Sequence, residues 1–187
     1  MKNIITKYSV ASATLMLAAQ VTQAVPLTGN IDFTGVAALD PSNLNVATAV
    51  NGWFGTRVTG ASGDFSTIAN NTPATFSSPW SLNTSTPITS FWTVDGFTFE
   101  LLSSWITGQG GGSLAVEGTG IITGNGYTAT DYSWSFTTHD PSIAVLDGPE
   151  AWIFSASSEP VPDGVSTGLL LGSALSAIGL IKRKLSA

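Results

Sequence analysis

From Leu27 to Ser158 apolar and polar residues alternate in short runs broken by Gly, Asn, Asp and Pro, and the 3.6-residue period of a long amphipathic helix is absent. Alternation of this kind predicts an all-β ectodomain, a single β-sandwich or jelly roll. Two hairpins can be placed in register. Asp95-Gly96 is a favoured two-residue type I′ loop and pairs Val94 with Phe97, Trp92 with Phe99, and Ser90 with Leu101. Trp92, Val94, Phe97, Phe99 and Leu101 then share a buried face, while Thr93, Thr98 and Glu100 point away. The second turn lies at Gly124-Asn125-Gly126. A two-residue loop there sets Leu114 and Val116 opposite threonine and serine. A three-residue loop, with Gly126 left-handed, pairs Leu114 with Phe136, Val116 with Trp134, and Gly118 with Tyr132, and burial favours this register. Residues 108–113 (GQGGGS) read as a flexible connection within one domain.

The pattern changes at both ends. Lys2 and Lys7 precede a short apolar block at residues 10–19, and Thr22-Gln23-Ala24 supplies small residues at a cleavage site. This is the layout of a secretory signal peptide, an apolar helix of residues 1–24 that signal peptidase removes after Ala24. At the other end residues 165–181 carry no charge and are followed at once by Lys182, Arg183 and Lys184. As a helix that run is about 25 Å long, at the short end of what spans a bilayer. Its basic end predicts a cytoplasmic C-terminus and an ectodomain on the outer side. The chain therefore divides into a signal peptide (1–24), an all-β ectodomain (25–158) and a sorting and transmembrane segment (159–187).

Val161-Pro162-Asp163-Gly164, then Ser166-Thr167, the GLLLG run and the basic cluster Lys182-Arg183-Lys184 resemble the C-terminal sorting signal of PEP-CTERM proteins, in the variant whose motif begins Val-Pro-Asp. The resemblance implies recognition by exosortase, an integral membrane processing enzyme. It also implies cleavage near the motif, and passage from an inner-membrane-anchored precursor to the cell surface or extracellular matrix. Val165 stands where that variant usually has glycine. The stretch GTGIITGNGY also resembles ectodomains that carry such tails.

Charge narrows the partners. Between residues 25 and 160 the only cation is Arg57, against eleven carboxylates. A surface of that sign repels phosphate backbones, so nucleic acid is not an expected partner. With no cysteine, disulfides and thiolate metal sites are excluded.

Candidate chemistry is sparse. His139 is the only histidine, no G-x-S-x-G turn accompanies it, and it reads as a loop residue. A glycosidase needs paired acids across a cleft. Glu100, Glu117, Glu150 and Glu159 offer carboxylates, but no spacing selects a pair. Asp140, Asp147 and Glu150 share one loop as weak calcium candidates, without the D-x-D-x-D-G run of a calcium loop. Of the six tryptophans, the register assigns Trp92 and Trp134 to the core, and Trp152 is expected to join them. Trp53, Trp80 and Trp105 remain as candidate sugar platforms. The expectation is a non-enzymatic surface or matrix protein of structural or adhesive role, with no cofactor. The alternatives are a module binding extracellular polysaccharide and a glycan-active enzyme.

Overall fold

The computed structural model describes residues 25–139 and 151–161. These form β1 (Ile31–Asp40), β2 (Ala49–Ala61), β3 (Thr75–Phe76), β4 (Trp80–Ser81), β5 (Ile88–Val94), β6 (Phe97–Gly110), β7 (Ser113–Gly124), β8 (Tyr127–His139) and β9 (Ala151–Pro160), with one 3-10 turn at Gly63–Phe65. The architecture is all-β, as the alternation predicts. The two-layer sandwich is not what forms. All nine strands lie in one sheet, in the order β3-β5-β6-β7-β8-β9-β1-β2-β4. Register shifts recur along the β1–β2 and β6–β7 ladders, and such bulges bend and twist long strands. The sheet accordingly curls around its own side chains instead of splitting in two.

A short segment draws the two edges together. β3 and β4 are the outermost strands, yet only residues 77–79 separate them in sequence. Ahead of β3, the Ala74 N–H donates to the Thr56 carbonyl and the Val58 N–H to the Thr72 carbonyl, at 3.1 and 2.9 Å. β3 itself then pairs with β5, Phe76 opposite Trp92. Beyond β4, which pairs with β2, Thr84 bridges Ser104 of β6. Residues 71–84 thus bond to both sides of the curl.

The first hairpin turns at Asp95-Gly96, both left-handed at φ 45° and 82° as a type I′ turn requires. Val94 faces Phe97 and Trp92 faces Phe99 as expected. The register then shifts, so Leu101 meets Ile88 rather than Ser90. Ser90 sits at φ 53°, within the irregular stretch, and the adjacent Phe91 and Trp92 are both fully buried.

The second hairpin uses the two-residue loop after all. Gly124 pairs with Tyr127, and Asn125 and Gly126 are left-handed at φ 50° and 82°. An irregularity between Ile122 and Gly124 restores the parity that a third loop residue was expected to supply. Val116 consequently faces Phe136, Gly118 faces Trp134 and Gly120 faces Tyr132. Each pairing is two residues from the expected one, but the same side chains are buried. Residues 108–113 are not a loose connection: β6 continues to Gly110, which pairs with Ser113 across a two-residue turn. His139 is the last residue of β8, opposite Ser113, rather than a loop residue.

The inner face is an aromatic core. Trp92 stacks on Phe99 at 5.5 Å, Phe91 meets Trp134 edge-on at 5.3 Å, and Phe136 stacks on Phe154 at 5.5 Å. Full burial of one such side chain contributes about 2–3 kcal/mol. Strand serines serve two of the indoles: Trp92 Nε1 donates to Ser158 Oγ at 3.3 Å and Trp80 Nε1 to Ser104 Oγ at 3.2 Å. Beyond the end of β1 the curl is capped by residues 41–48, where Gln109 Nε2 donates to the Leu44 and Ala47 carbonyls at 2.9 and 2.8 Å. At the opposite end Phe65 packs on Phe97 at 4.8 Å.

The expected signal helix, the transmembrane run and the loop carrying Asp140, Asp147 and Glu150 lie outside the described residues. Among the described residues no helix is long and apolar enough to cross a membrane.

Candidate functional site

Strand alternation puts aromatics inside and hydroxyls outside. One outward row crosses the sheet from Trp105 through Glu117, Ser135 and Ser157 to Asp32. The next carries Thr137, Ser155, Thr34 and Arg57. Where these rows meet β2, a shallow cleft of about 540 Å³ opens, lined chiefly by Asp32, Thr34, Thr59, Ser135, Thr137, Ser155 and Ser157. Ser135 and Ser157 share a hydrogen bond at 2.9 Å, and the Thr34 hydroxyl donates to the Phe154 carbonyl at 2.8 Å. Asn30 Nδ2 donates to Asp32 at 3.3 Å. The cleft is a hydroxyl-rich surface with one carboxylate at its rim, suited to exchanging hydrogen bonds with a polyol or with water.

Among the described residues paired acids do not converge in it, and Asp32 is the one carboxylate lining the cleft. Glu100, Glu117 and Glu159 stand in three different cross-strand rows, opposite Ile121, Ser135 and Ser133 respectively. Among the described residues no three His, Cys, Asp or Glu side chains group as metal ligands would.

The structure separates the three candidate sugar platforms. Trp80 is fully buried. Trp53 is half-buried, stacked on Trp80 at 6.0 Å and held by its Nε1 donating to the Ser77 carbonyl at 2.8 Å. Both belong to the core packing and offer no open ring face. Trp105, 42% exposed, stands on the outer face of β6 in the row that runs to Asp32. Trp152 is half-buried against the core. Sequence reasoning missed the hydroxyl face, although its signal is present: serine and threonine recur at every second position through Ser133, Ser135 and Thr137 and again at Ser155 and Ser157.

A second polar cluster gathers around Asp64 in the 3-10 turn. Its carboxylate accepts the Thr28 N–H at 2.8 Å, the Thr28 hydroxyl at 2.9 Å and the Tyr127 hydroxyl at 3.1 Å. The Thr28 backbone N–H above all, then the Thr28 hydroxyl and Tyr127, hold this carboxyl below its usual range. The same bond raises the Tyr127 phenol. Nearby, Tyr132 donates to the Gly29 carbonyl at 3.1 Å, and burial, then the Asp64 charge, push its phenol up to about 12. A carboxylate saturated with donors is a fastening and a poor base. It pins the segment ahead of β1.

The C-terminal candidates begin where β9 ends. Pro160 pairs with Tyr132, and the next residue, Val161, donates its N–H to the Asp131 carbonyl at 3.1 Å. Pro162, Asp163, Gly164, Lys182, Arg183 and Lys184 follow outside the described residues, as does Ala24 at the other end. Residues 160–185 match the VPDSG-CTERM motif. The VPDSG-CTERM motif is a sorting signal related to that of PEP-CTERM proteins, and it suggests an exported, surface-sorted protein. This chain reads Val-Pro-Asp-Gly-Val where the motif's name reads VPDSG, so the departures fall at Gly164 and Val165. No curated protein and no solved structure matches the chain.

Proposed function

We propose that the protein is a non-enzymatic surface or matrix module, exported through its signal peptide, held in the inner membrane by its tail, and released or transferred when an exosortase-type enzyme cuts near Asp163. The observation that carries this reading is the sorting motif at 160–185, which begins at the last residue of β9. A curled sheet with a hydroxyl-covered outer face and an aromatic interior suits a structural or adhesive element. The mass of the mature protein from envelope and culture-medium fractions, with both termini sequenced, tests it. A chain running from Val25 to near Asp163 is expected. A chain still ending at Ala187 would mean that the tail is only an anchor.

A second reading, binding of extracellular polysaccharide, is favoured by one observation: Trp105 stands exposed in line with Glu117, Ser135, Ser157 and Asp32. An aromatic plane followed by hydrogen-bonding groups across the strands is the arrangement a sugar chain would use. Trp105→Ala should then weaken polysaccharide binding at least several-fold while leaving the fold intact. Binding unaltered by that change, or absent in the native protein, would remove this reading.

A further inference from the structure

Both ends of the ectodomain arrive at one pole of the sheet. β9 stops pairing with β8 at Tyr132, and Val161 bonds to Asp131 one residue beyond. There the segment ahead of β1 meets β8. Pro26 bridges Thr128, the Thr128 N–H donates to the Val25 carbonyl at 3.1 Å, and the Leu27 N–H donates to Thr130 Oγ1 at 2.9 Å. The two attachment points, Thr128 and Asp131, are only about 10 Å apart along a strand. Val25 and Val161 are both exposed. The turns at Asp95-Gly96 and Asn125-Gly126 lie at this pole too, joined by Asn125 Nδ2 donating to the Asp95 carbonyl at 3.0 Å. Residues 41–48 cap the far pole, a full β1 length away, about 33 Å.

We propose that this terminal pole is the face the precursor turns to the membrane. The inference rests on the reading of the tail as a membrane-held sorting signal. The motif begins at Pro160, which is still in the ladder, so fold and signal share residues with no spacer between them. From Val161 to Val165, where the uncharged run begins, the chain reaches at most about 14 Å. A tether that short holds the terminal pole beside the bilayer and keeps the far pole away. The exposed residues around the exit, Ala129, Asp131 and Glu159, then lie on the side turned to the bilayer.

The chain has no cysteine, so Ala129→Cys and Val46→Cys each give a single labelling site, at the terminal and the far pole. The full chain, labelled with a fluorophore, is reconstituted in vesicles whose lipid head groups carry a contact-range quencher. Quenching at position 129 is expected to exceed that at position 46 several-fold. Inserting a flexible spacer of about ten Gly and Ser residues between Pro160 and Val161 is expected to abolish most of the difference. Equal quenching at the two positions, or a difference that survives the spacer, overturns the proposal while leaving the tail reading intact. A chain that does not float with the vesicles overturns the tail reading itself, and this proposal with it.

Discussion

Asp64 takes three hydrogen bonds, two of them from Thr28, and so fastens the start of the ectodomain to the 3-10 turn and to β8. Its pKa is depressed in the folded protein. Its stabilising contribution is therefore complete above the unfolded value of about 3.9 and is lost as pH falls through the lower folded value. Asp64→Asn should lower the melting temperature at neutral pH, and the gap from the native protein should close as the pH falls below about 4. A gap that does not change with pH would show that the charge is not what matters. Ser158 offers a second test. Ser158→Ala removes the acceptor of the buried Trp92 indole and should cost about 1–3 kcal/mol in chemical denaturation. At this scale the sequence was only partly legible. Trp92 could be placed inside from its pairing with Phe99 across the Asp95-Gly96 turn, and Trp134 because it alternates with serines on a long strand. Trp80 could not, since it lies in a two-residue strand and its burial depends on β4 reaching β2 from a distant part of the chain.

Hairpins carry most of the local information, and the turns at Asp95-Gly96 and Asn125-Gly126 show its limit. Asp95-Gly96 dictates its own geometry, so the pairs beside that turn follow directly. Four residues further on, the irregularity around Ser90 breaks the extrapolation. In β7–β8 the requirement to bury Val116, Trp134 and Phe136 was readable, but two devices satisfy it, a longer loop or a bulge in the strand. Burial fixes which face a residue takes, modulo two positions, and leaves the exact partner open. Close packing between β6 and β7 gives this scale its prediction. A Cβ added at Gly120 would lie 2.2 Å from the Glu100 carbonyl oxygen and 2.3 Å from the Phe99 ring. The carbonyl belongs to the ladder and cannot swing aside. Gly120→Ala should therefore destabilise the protein by at least about 2 kcal/mol. At Gly108 an added Cβ would first meet the Ala115 methyl at 3.8 Å, so Gly108→Ala should leave stability nearly unchanged. Equal effects in urea melts would show that the approach of the two strands is not what requires glycine.

For the whole molecule, the all-β class could be read from the alternating pattern and the tail motif from its own residues, because both depend on local sequence. The single curled sheet could not. It depends on residues 71–84 bonding to strands at both edges, and no local pattern encodes a contact that spans the chain. The hydroxyl cleft was hidden for the same reason, since its rows form only when β8, β9, β1 and β2 lie side by side. The way the edges are finished bears on the proposed matrix role. Fibres that grow by strand donation need a long, open edge to template the next molecule. Here the outermost strands are two residues each, consecutive in the chain, and flanked by backbone already bonded to β2 and β6. Concentrated ectodomain should accordingly give no thioflavin T response on long incubation, whereas fibrils would show that these edges open. In the proposed matrix role, edges closed in this way leave broad faces for contact, the geometry of masonry and not of thread.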